Sequence, residues 1–166
     1  SEQALRRGVF PGAQSMRFAG GEVHGKTLGI VGIGRVGKAI ARRAAGFAMR
    51  VLYADRVRLA PPEEAELGVT HRPLDTLLAE ADFVSVSVTL TPDTVHLIGP
   101  RELGLMRESA YLVNTSRGPV VDEQALADAL RGGRIAGAAL DVYEAEPRVE
   151  PALLELTNVV LTPHIG

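Results

Sequence analysis

Short apolar, β-branched segments alternate along this chain with segments whose apolar residues recur at helical spacing. The segment 83–88 is mostly apolar, as expected of a strand covered on both faces. The pattern predicts strands at 27–31, 50–54, 69–72, 83–88, 110–114, 135–140 and 158–161. It predicts helices at 35–47, 74–80, 101–107 and 122–131, with a short one near 151–155. Such alternation indicates an α/β fold, a doubly wound parallel sheet of about seven strands with helices on both faces.

A glycine-rich turn joins the first predicted strand to the first long helix. Gly32 would make the tight turn, Gly34 would let the backbone approach a pyrophosphate, and Gly37 would let the helix pack close to the strand. The helix N-terminus would offer unpaired N–H groups and partial positive charge to phosphates. The sheet is therefore expected to be of Rossmann type and to bind a dinucleotide. Methyltransferases use similar turns, so the turn alone leaves that alternative open.

Asp55 stands at the end of the second predicted strand, eighteen positions beyond Gly37. A carboxylate there can accept hydrogen bonds from the adenosine ribose hydroxyls and would repel a 2′-phosphate. Asp55 thus favours NAD over NADP, although the neighbouring Arg56 could accommodate the phosphate. The alternative for Asp55 is an exposed acid in a turn.

A second glycine-rich segment, residues 20–27, fits the phosphate-binding pattern of nucleoside triphosphatases by its letters alone. That loop must follow a strand and open a helix. Here no strand-like run precedes the segment and a predicted strand follows it. We interpret it as a turn that leads into the first strand.

Three further segments each follow a predicted strand: 114–118, 141–147 and 163–166. They belong to the carboxyl edge of the sheet, where open α/β sheets bind ligands. Together they would bring Arg117, Glu146 and His164 to one rim. Taken singly, these could be a surface cation, a loop acid and a capping or exposed histidine. His24 and His71 are interpreted as solvated, and His96 as structural.

With these motifs in order, the chain resembles the NAD-binding domain of the D-isomer-specific 2-hydroxyacid dehydrogenases over roughly residues 20–166. The resemblance implies that Arg117, Glu146 and His164 are catalytic. It also implies a set of cofactor-binding positions: Gly32, Gly34, Arg35, Val36, Gly37, Asp55, Val88, Thr94, Thr115, Ser116, Asp141 and Gly166. The chain departs from the family pattern at Ser87, where His is common, and at Thr89, where Pro is usual.

The three rim residues suit the reduction of a 2-oxo acid, which needs a hydride at the carbonyl carbon and a proton at its oxygen. His164 is the natural proton donor, because imidazole titrates near physiological pH. Glu146 can orient the imidazole and favour its protonated form. Arg117 has the planar fork that holds a carboxylate and polarises the carbonyl. The cofactor would supply the hydride.

Composition excludes several other classes of function. The chain has 166 residues, 46% hydrophobic and 23% charged, with a net charge of −2, so neither nucleic acid nor a membrane is an expected partner. No cysteine is present, and no group of residues has metal-ligand spacing, so no metal is assigned. We expect a cytoplasmic protein.

Both ends look cut, so we expect one domain of a longer protein: a connector at 1–24 and the NAD-binding domain at 25–166. The family's substrate domain would lie outside this chain, and the chain alone would bind cofactor with little turnover. The resemblance implies a homodimer through this domain, with a small 2-hydroxy or 2-oxo acid as substrate and glyoxylate and hydroxypyruvate among the candidates. An NAD-sensing interaction module, like the corepressors related to this family, is the alternative.

Overall fold

The computed structural model of the chain describes residues 2–10 and 20–166. Residues 11–19 of the expected connector, and Ser1, lie outside the described residues. A short helix, α1 (Glu2–Arg6), lies near the start of the chain. Residues 20–26 lead into the first strand through a turn at His24 and Gly25, and no helix follows them directly. The nucleoside-triphosphatase pattern is therefore correctly set aside.

One seven-stranded sheet organises the chain, as predicted, and every neighbouring pair of strands is parallel. The strand order is β3-β2-β1-β4-β5-β6-β7. Five of the strands are one or two residues shorter than predicted: β3 and β4 end earlier than the apolar run, and β5, β6 and β7 begin later. The strands are β1 (Thr27–Val31), β2 (Arg50–Ala54), β3 (Val69–His71), β4 (Phe83–Val86), β5 (Tyr111–Asn114), β6 (Gly137–Leu140) and β7 (Val159–Leu161).

After α1, which was not among the predicted helices, the helices follow the predicted positions with one omission. The pattern missed α3, a seven-residue helix that begins with two prolines, Pro61 and Pro62, and ends at Gly68 in the left-handed conformation. The predicted helix at 35–47 ends at Ala44 and continues as a 3₁₀ turn. The helices after α1 are α2 (Arg35–Ala44), α3 (Pro61–Leu67), α4 (Leu74–Glu80), α5 (Pro100–Leu105), α6 (Glu123–Arg131) and α7 (Pro151–Leu154).

Two apolar cores cover the two faces of the sheet. Val51 and Tyr53 of β2 belong to one core, and Leu52 of the same strand belongs to the other. This alternation follows from the two-residue period of a strand. The first core includes Ala41 of α2, and the second includes Leu77 of α4. Helices on both faces explain why the strands read as nearly continuous apolar runs.

The strand order reverses direction at β1, which lies between β2 and β4. Val31, the last residue of β1, is paired with Ala54 on one side and with Val86 on the other. The loops that leave these strands therefore diverge at this point of the carboxyl edge. Such a switch point leaves a crevice in which open α/β sheets bind their ligands.

Candidate functional site

The glycine turn lies at the switch point, and two of its glycines are required by packing. Gly32 has φ +96°, and a Cβ there would lie 2.8 Å from the backbone of Ser87 in the loop after β4. A Cβ on Gly37 would overlap the carbonyl oxygen of Gly32 and crowd Ile30. As the sequence predicts, Gly32 makes the tight turn and Gly37 lets α2 pack close to β1.

Gly34 differs from its two partners. It is the N-cap of α2, and a Cβ there would meet no protein atom within 4 Å. Packing alone does not require this glycine, whereas close approach of a ligand to the backbone would. Arg35 and Val36 follow in the exposed first turn of α2, with Val36 59% exposed. The N-terminus of this helix is thus open to an anion.

Asp55 leaves the end of β2 and is fixed by two backbone donors. Its Oδ2 accepts the N–H of Ile33 at 2.8 Å, and its Oδ1 accepts the N–H of Val57 at 3.3 Å. Each carboxylate oxygen has two lone pairs, so both oxygens keep acceptor capacity. The first bond joins Asp55 directly to the glycine turn.

A cavity of about 520 Å³ opens beside the glycine turn. Five of the predicted cofactor-binding residues line it: Gly32, Gly34, Asp55, Val88 and Thr94. Several other lining residues are not among the predicted cofactor-binding positions, including His71, Arg72, Ser87 and Asp93. His71 is half-buried, and its ring meets that of Tyr53 edge-on at 5.2 Å, so its interpretation as a solvated side chain is wrong. His71 and Arg72 stand where β3 ends, the same signal that identified Asp55.

The loop after β4 forms the other wall of this cavity. Its Thr94 hydroxyl donates to the carbonyl of Thr89 at 2.8 Å and accepts the N–H of Thr91 at 2.8 Å, which closes a turn at residues 92–94. The Oγ of Ser87 is buried and has no hydrogen-bond partner among the described residues. A buried unpaired hydroxyl is costly. In a wall of this cavity, it fits a site that receives a polar ligand.

The loop after β5 carries Arg117 and is built on a buried amide. Asn114, 1% exposed, donates through Nδ2 to the carbonyl of Arg117 at 3.0 Å. Its Oδ1 accepts the N–H of Ser116 at 3.0 Å and the hydroxyl of Ser116 at 2.8 Å. The Arg117 side chain is exposed and donates to the carbonyl of Ser116 at 2.6 Å. Thr115 is exposed in the same loop.

Gly118 brings this loop against the loop after β6. A Cβ on Gly118 would overlap the backbone of Tyr143 and Glu144. Only glycine allows that approach without displacement of backbone. The segment that carries Arg117 and the segment that leads to Glu146 are therefore packed directly on each other.

Glu146 and His164 form a hydrogen-bonded pair. The Nδ1 of His164 lies 3.0 Å from Oε1 and 2.9 Å from Oε2 of Glu146. The N–H of Tyr143 also donates to Glu146 Oε1, at 3.0 Å. The bond to His164 is the main cause that lowers the pKa of Glu146 below its ordinary value, and the charge of Arg117 adds to the effect. Glu146 is therefore influenced by both of the other predicted catalytic residues. His164 Nε2 has no partner within residues 2–10 and 20–166.

Asp141 fixes the segment that carries His164. Its Oδ1 accepts the hydroxyl of Thr162 at 2.5 Å and the N–H of Ile165 at 3.0 Å, and its Oδ2 accepts the N–H of Gly166 at 2.7 Å. The Thr162 hydroxyl, followed by the Ile165 N–H, lowers the pKa of Asp141. His164 itself has φ +55°, a left-handed conformation that is unusual for a residue other than glycine. Asp141 is thus engaged with protein groups on both oxygens.

A second cavity of about 740 Å³ has none of the predicted site residues in its lining, which includes His96 and Glu144. His96 Nε2 lies 3.0 Å from Glu144 Oε2, in keeping with the structural role expected of this histidine. Glu123 and Glu144 exchange bonds, each carboxylate accepting the backbone N–H of the other residue at 2.9 and 2.7 Å. Burial raises the pKa of Glu123. This cluster anchors the start of α6 to the loop that leads to Glu146.

Residues 2–10 and 20–166 contain no group of three or more His, Cys, Asp or Glu side chains arranged to hold a metal ion. Within the same ranges, no helix has the length and apolar character needed to cross a membrane.

A doubly wound parallel sheet with a glycine turn at its switch point and an acid at the end of β2 defines a dinucleotide-binding domain. The chain belongs to the D-isomer specific 2-hydroxyacid dehydrogenase family, whose NAD-binding domain matches residues 1–166. The methyltransferase alternative is therefore excluded, and NAD is the cofactor of this domain.

Similar proteins carry related names. A glyoxylate reductase of Thermococcus gammatolerans is 54% identical over 151 residues, which are 91% of this chain and 45% of that protein. The crystal structure of a glyoxylate reductase from Paecilomyes thermophila has a TM-score of 0.88 at 42% identity, covering 99% of this chain and 49% of that one. An NAD-complexed D-isomer specific 2-hydroxyacid dehydrogenase from Lactobacillus delbrueckii has a TM-score of 0.79 at 34% identity, covering 92% and 49%. The chain thus spans about half the length of the curated relatives it matches.

Proposed function

We propose that this chain is the cofactor half of an NAD-dependent D-2-hydroxyacid dehydrogenase, which transfers a hydride between NAD(H) and a 2-hydroxy acid/2-oxo acid pair. The Glu146–His164 pair, placed where the charge of Arg117 reaches it, is the observation that carries the proposal. Glyoxylate or hydroxypyruvate is the proposed 2-oxo acid, because the relatives include proteins named glyoxylate reductase at 54% identity.

The glycine turn and the N-terminus of α2 would hold the pyrophosphate. The open position at Gly34 supports this, because a Cβ there would meet no protein atom yet would stand in the way of a phosphate. Arg35 and Val36, exposed in the first turn of α2, would lie beside the pyrophosphate. Gly32 and Gly37 contribute by allowing the close packing that places the helix terminus there.

Asp55 would accept hydrogen bonds from the adenosine ribose, and its negative charge favours NAD over NADP. Val88 and Thr94 would line the adenosine half of the cavity from the loop after β4. Thr115, Ser116, Asp141 and Gly166 would surround the nicotinamide. Asp141 does so chiefly by fixing the backbone of the last two residues, since both of its oxygens are engaged there.

Proton transfer falls to His164. When bound, the nicotinamide supplies the hydride to the carbonyl carbon or accepts it in the reverse direction. The Nδ1 of His164 faces the Glu146 carboxylate, which leaves Nε2 to deliver the proton to the carbonyl oxygen. Glu146 fixes the ring orientation and stabilises the imidazolium. Arg117 would hold the substrate carboxylate with its two parallel N–H donors and polarise the carbonyl.

The domain organisation is also proposed. Residues 1–24 would connect to a substrate-binding region, and residues 25–166 would be the NAD-binding domain. The chain alone would then bind cofactor with little turnover, which a direct assay of glyoxylate reduction by the 166 residues tests. We further propose a cytoplasmic homodimer formed through this domain. Equilibrium sedimentation that shows only monomer at high concentration would count against the dimer.

The decisive experiment removes Arg117 from the complete protein that carries this chain. Arg117→Ala is expected to lower turnover on glyoxylate by about a hundredfold or more, since one charge-stabilising donor is worth that much. The affinity for NADH should stay within about twofold, because Arg117 holds the substrate and not the cofactor. Arg131→Ala, at an exposed arginine of α6, is the matched control. Unchanged turnover in Arg117→Ala would show that the catalytic assignment is wrong.

The alternative, an NAD-sensing interaction module, is not favoured by the relatives, whose names are those of reductases and dehydrogenases. Peptide binding gated by NADH, with no turnover of any 2-oxo acid by the complete protein, would favour it instead.

A further inference from the structure

An ion pair spans the cavity at the end where Asp55 lies. The Nη1 of Arg56, in the loop after β2, is 3.7 Å from Oδ2 of Asp93, in the turn after β4. Both residues line the cavity beside the glycine turn. The two side chains are 77% and 80% exposed, and neither has another ionic partner in the described part of the chain. The pair therefore joins the two walls of the crevice at its rim.

The second arginine of this cavity is also engaged by a carboxylate. Arg72 follows β3, and its Nε lies 3.5 Å from Oε1 of Glu80 in α4. Its Nη1 donates to the carbonyl of His71 at 3.0 Å. Both guanidinium groups that line the cavity are thus paired with acids, and Asp55 adds a third carboxylate. Among the residues that line this cavity, a 2′-phosphate beside Asp55 would find no cation without a competing carboxylate.

We infer that Asp93 is a specificity-determining residue that favours NAD over NADP by occupying the guanidinium of Arg56. This rests on the proposed function, in which the adenosine ribose lies beside Asp55. Arg56 is the residue next to Asp55 and lines the same cavity, so its guanidinium is placed to bind a 2′-phosphate. Asp93 competes with the 2′-phosphate for the guanidinium of Arg56, and its negative charge also repels that phosphate. The 2′-hydroxyl that NAD has in place of this phosphate carries no charge, so Asp93 does not repel it.

Arg56 and Asp93 together explain how a chain with an arginine next to Asp55 can still prefer NAD. An exposed ion pair contributes little to stability, so its loss should leave the fold intact. Near a protein surface, the repulsion energy between two like charges a few ångströms apart is larger than the stabilisation that an exposed ion pair provides. Removal of the Asp93 charge should therefore affect NADP(H) and leave NAD(H) nearly unchanged.

The test measures binding of NADH and NADPH to the 166-residue chain by isothermal titration calorimetry. Asp93→Asn is expected to tighten NADPH binding by about fivefold to tenfold, the latter equal to about 1.4 kcal/mol. NADH binding should change by less than about twofold, because an uncharged ribose hydroxyl feels little of a charge at the rim. The gain should shrink as salt is raised, since the groups are exposed.

Two variants complete the experiment. Arg56→Ala combined with Asp93→Asn should abolish the gain, and Asp128→Asn, which removes the acid of an exposed pair on α6, should produce none. Equal changes for both cofactors, no change for NADPH, or a gain that survives Arg56→Ala would each overturn the inference. A wild-type chain that fails to bind NADH would instead contradict the proposed function itself, and circular dichroism of each variant separates either result from misfolding.

Discussion

The Nδ1 atom of His164 lies within 3.0 Å of both carboxylate oxygens of Glu146, and one of those oxygens also accepts the N–H of Tyr143. One carboxylate therefore holds the imidazole and is itself fixed to its own loop. The ring nitrogen that faces the carboxylate is defined by this contact, so Nε2 is the nitrogen left without a partner among the described residues. A second anchor, Asp141, fixes the backbone on the other side of His164.

The coupling between His164 and Glu146 predicts a change in titration. The bond to His164 is the largest cause that lowers the pKa of Glu146, so His164→Ala should raise that pKa toward its ordinary value of 4.5. The rise should be incomplete, because the N–H of Tyr143 and the charge of Arg117 remain. Carbon-13 NMR of the carboxyl groups, recorded as a function of pH, measures it. His24→Ala, at an exposed turn, should leave Glu146 unchanged, and an unchanged Glu146 in His164→Ala would mean that the pair does not form.

Alanine substitutions at two glycines of the turn should have opposite effects, one mainly on stability and the other mainly on NADH binding. Gly37→Ala should lower the free energy of unfolding by about 1–3 kcal/mol, because its Cβ would overlap the backbone of Gly32. Gly34→Ala should cost less than about 1 kcal/mol, because its Cβ would enter open space at a helix N-cap. Gly34→Ala should nevertheless weaken NADH binding by at least about tenfold, since the methyl group would displace the pyrophosphate.

Urea unfolding and calorimetric titration of both variants separate the two roles. Gly46→Ala is the matched control, because a Cβ there also meets nothing within 4 Å and the residue does not line the cavity. Tight NADH binding by Gly34→Ala would remove the glycine turn as the pyrophosphate site.

The sheet was predictable because its strands are short apolar runs at regular spacing. Strands β1 and β2 match the predicted bounds, and the glycine turn has the close contacts that its spacing implies. The contact between Glu146 and His164 was also anticipated, because both residues follow predicted strands at the carboxyl edge and a carboxylate can hydrogen-bond an imidazole. The spacing of apolar residues and the ends of the predicted strands thus predicted most of the fold and the residues at the rim of the site.

What the sequence did not reveal depends on contacts between distant segments. Asp93 reaches Arg56 only because β4 lies next to β1 and not next to β3. This strand order cannot be predicted from the local pattern of apolar residues. The role of Asn114 was missed for another reason. Its amide binds residues two and three positions ahead in a loop without periodicity. Helix α3 was not predicted, because a helix of seven residues is too short for a helical spacing of apolar residues to be recognised.

Asn114 predicts a local loss of order at the Arg117 loop. Asn114→Ala should lower the free energy of unfolding by about 1–3 kcal/mol, because the Arg117 carbonyl and the Ser116 N–H would lose their partner. Hydrogen exchange at the Ser116 amide should become faster, because the free energy needed to open the loop and expose this amide should fall by at least the same amount. Thr115→Ala, at the exposed neighbour, should leave exchange at Ser116 unchanged. Protection that persists in Asn114→Ala would show that another group holds the loop.

A carboxylate in α3 holds the chain just beyond Asp55. Glu64 accepts two N–H bonds from Arg58 at 2.9 Å and the hydroxyl of Tyr53 at 2.6 Å. That hydroxyl in turn accepts the N–H of Leu59 at 2.9 Å. The bonds from Arg58 and then Tyr53 lower the pKa of Glu64 from its ordinary 4.5 to about 2. This network ties the segment that follows Asp55 to the end of β2.

The depressed pKa of Glu64 predicts how stability depends on pH. Because the folded state favours the ionised carboxylate, its contribution to the free energy of unfolding is complete above pH 4.5 and is lost as the pH falls to about 2. Glu64→Gln should therefore be less stable than the wild type at pH 7, and the difference should close over that window. Urea unfolding at pH 7, 4, 3 and 2 measures the difference. Glu66→Gln, at an exposed position of the same helix, should show no such convergence. A difference between Glu64→Gln and wild type that is constant with pH would show that Glu64 stabilises through packing and not through its charge.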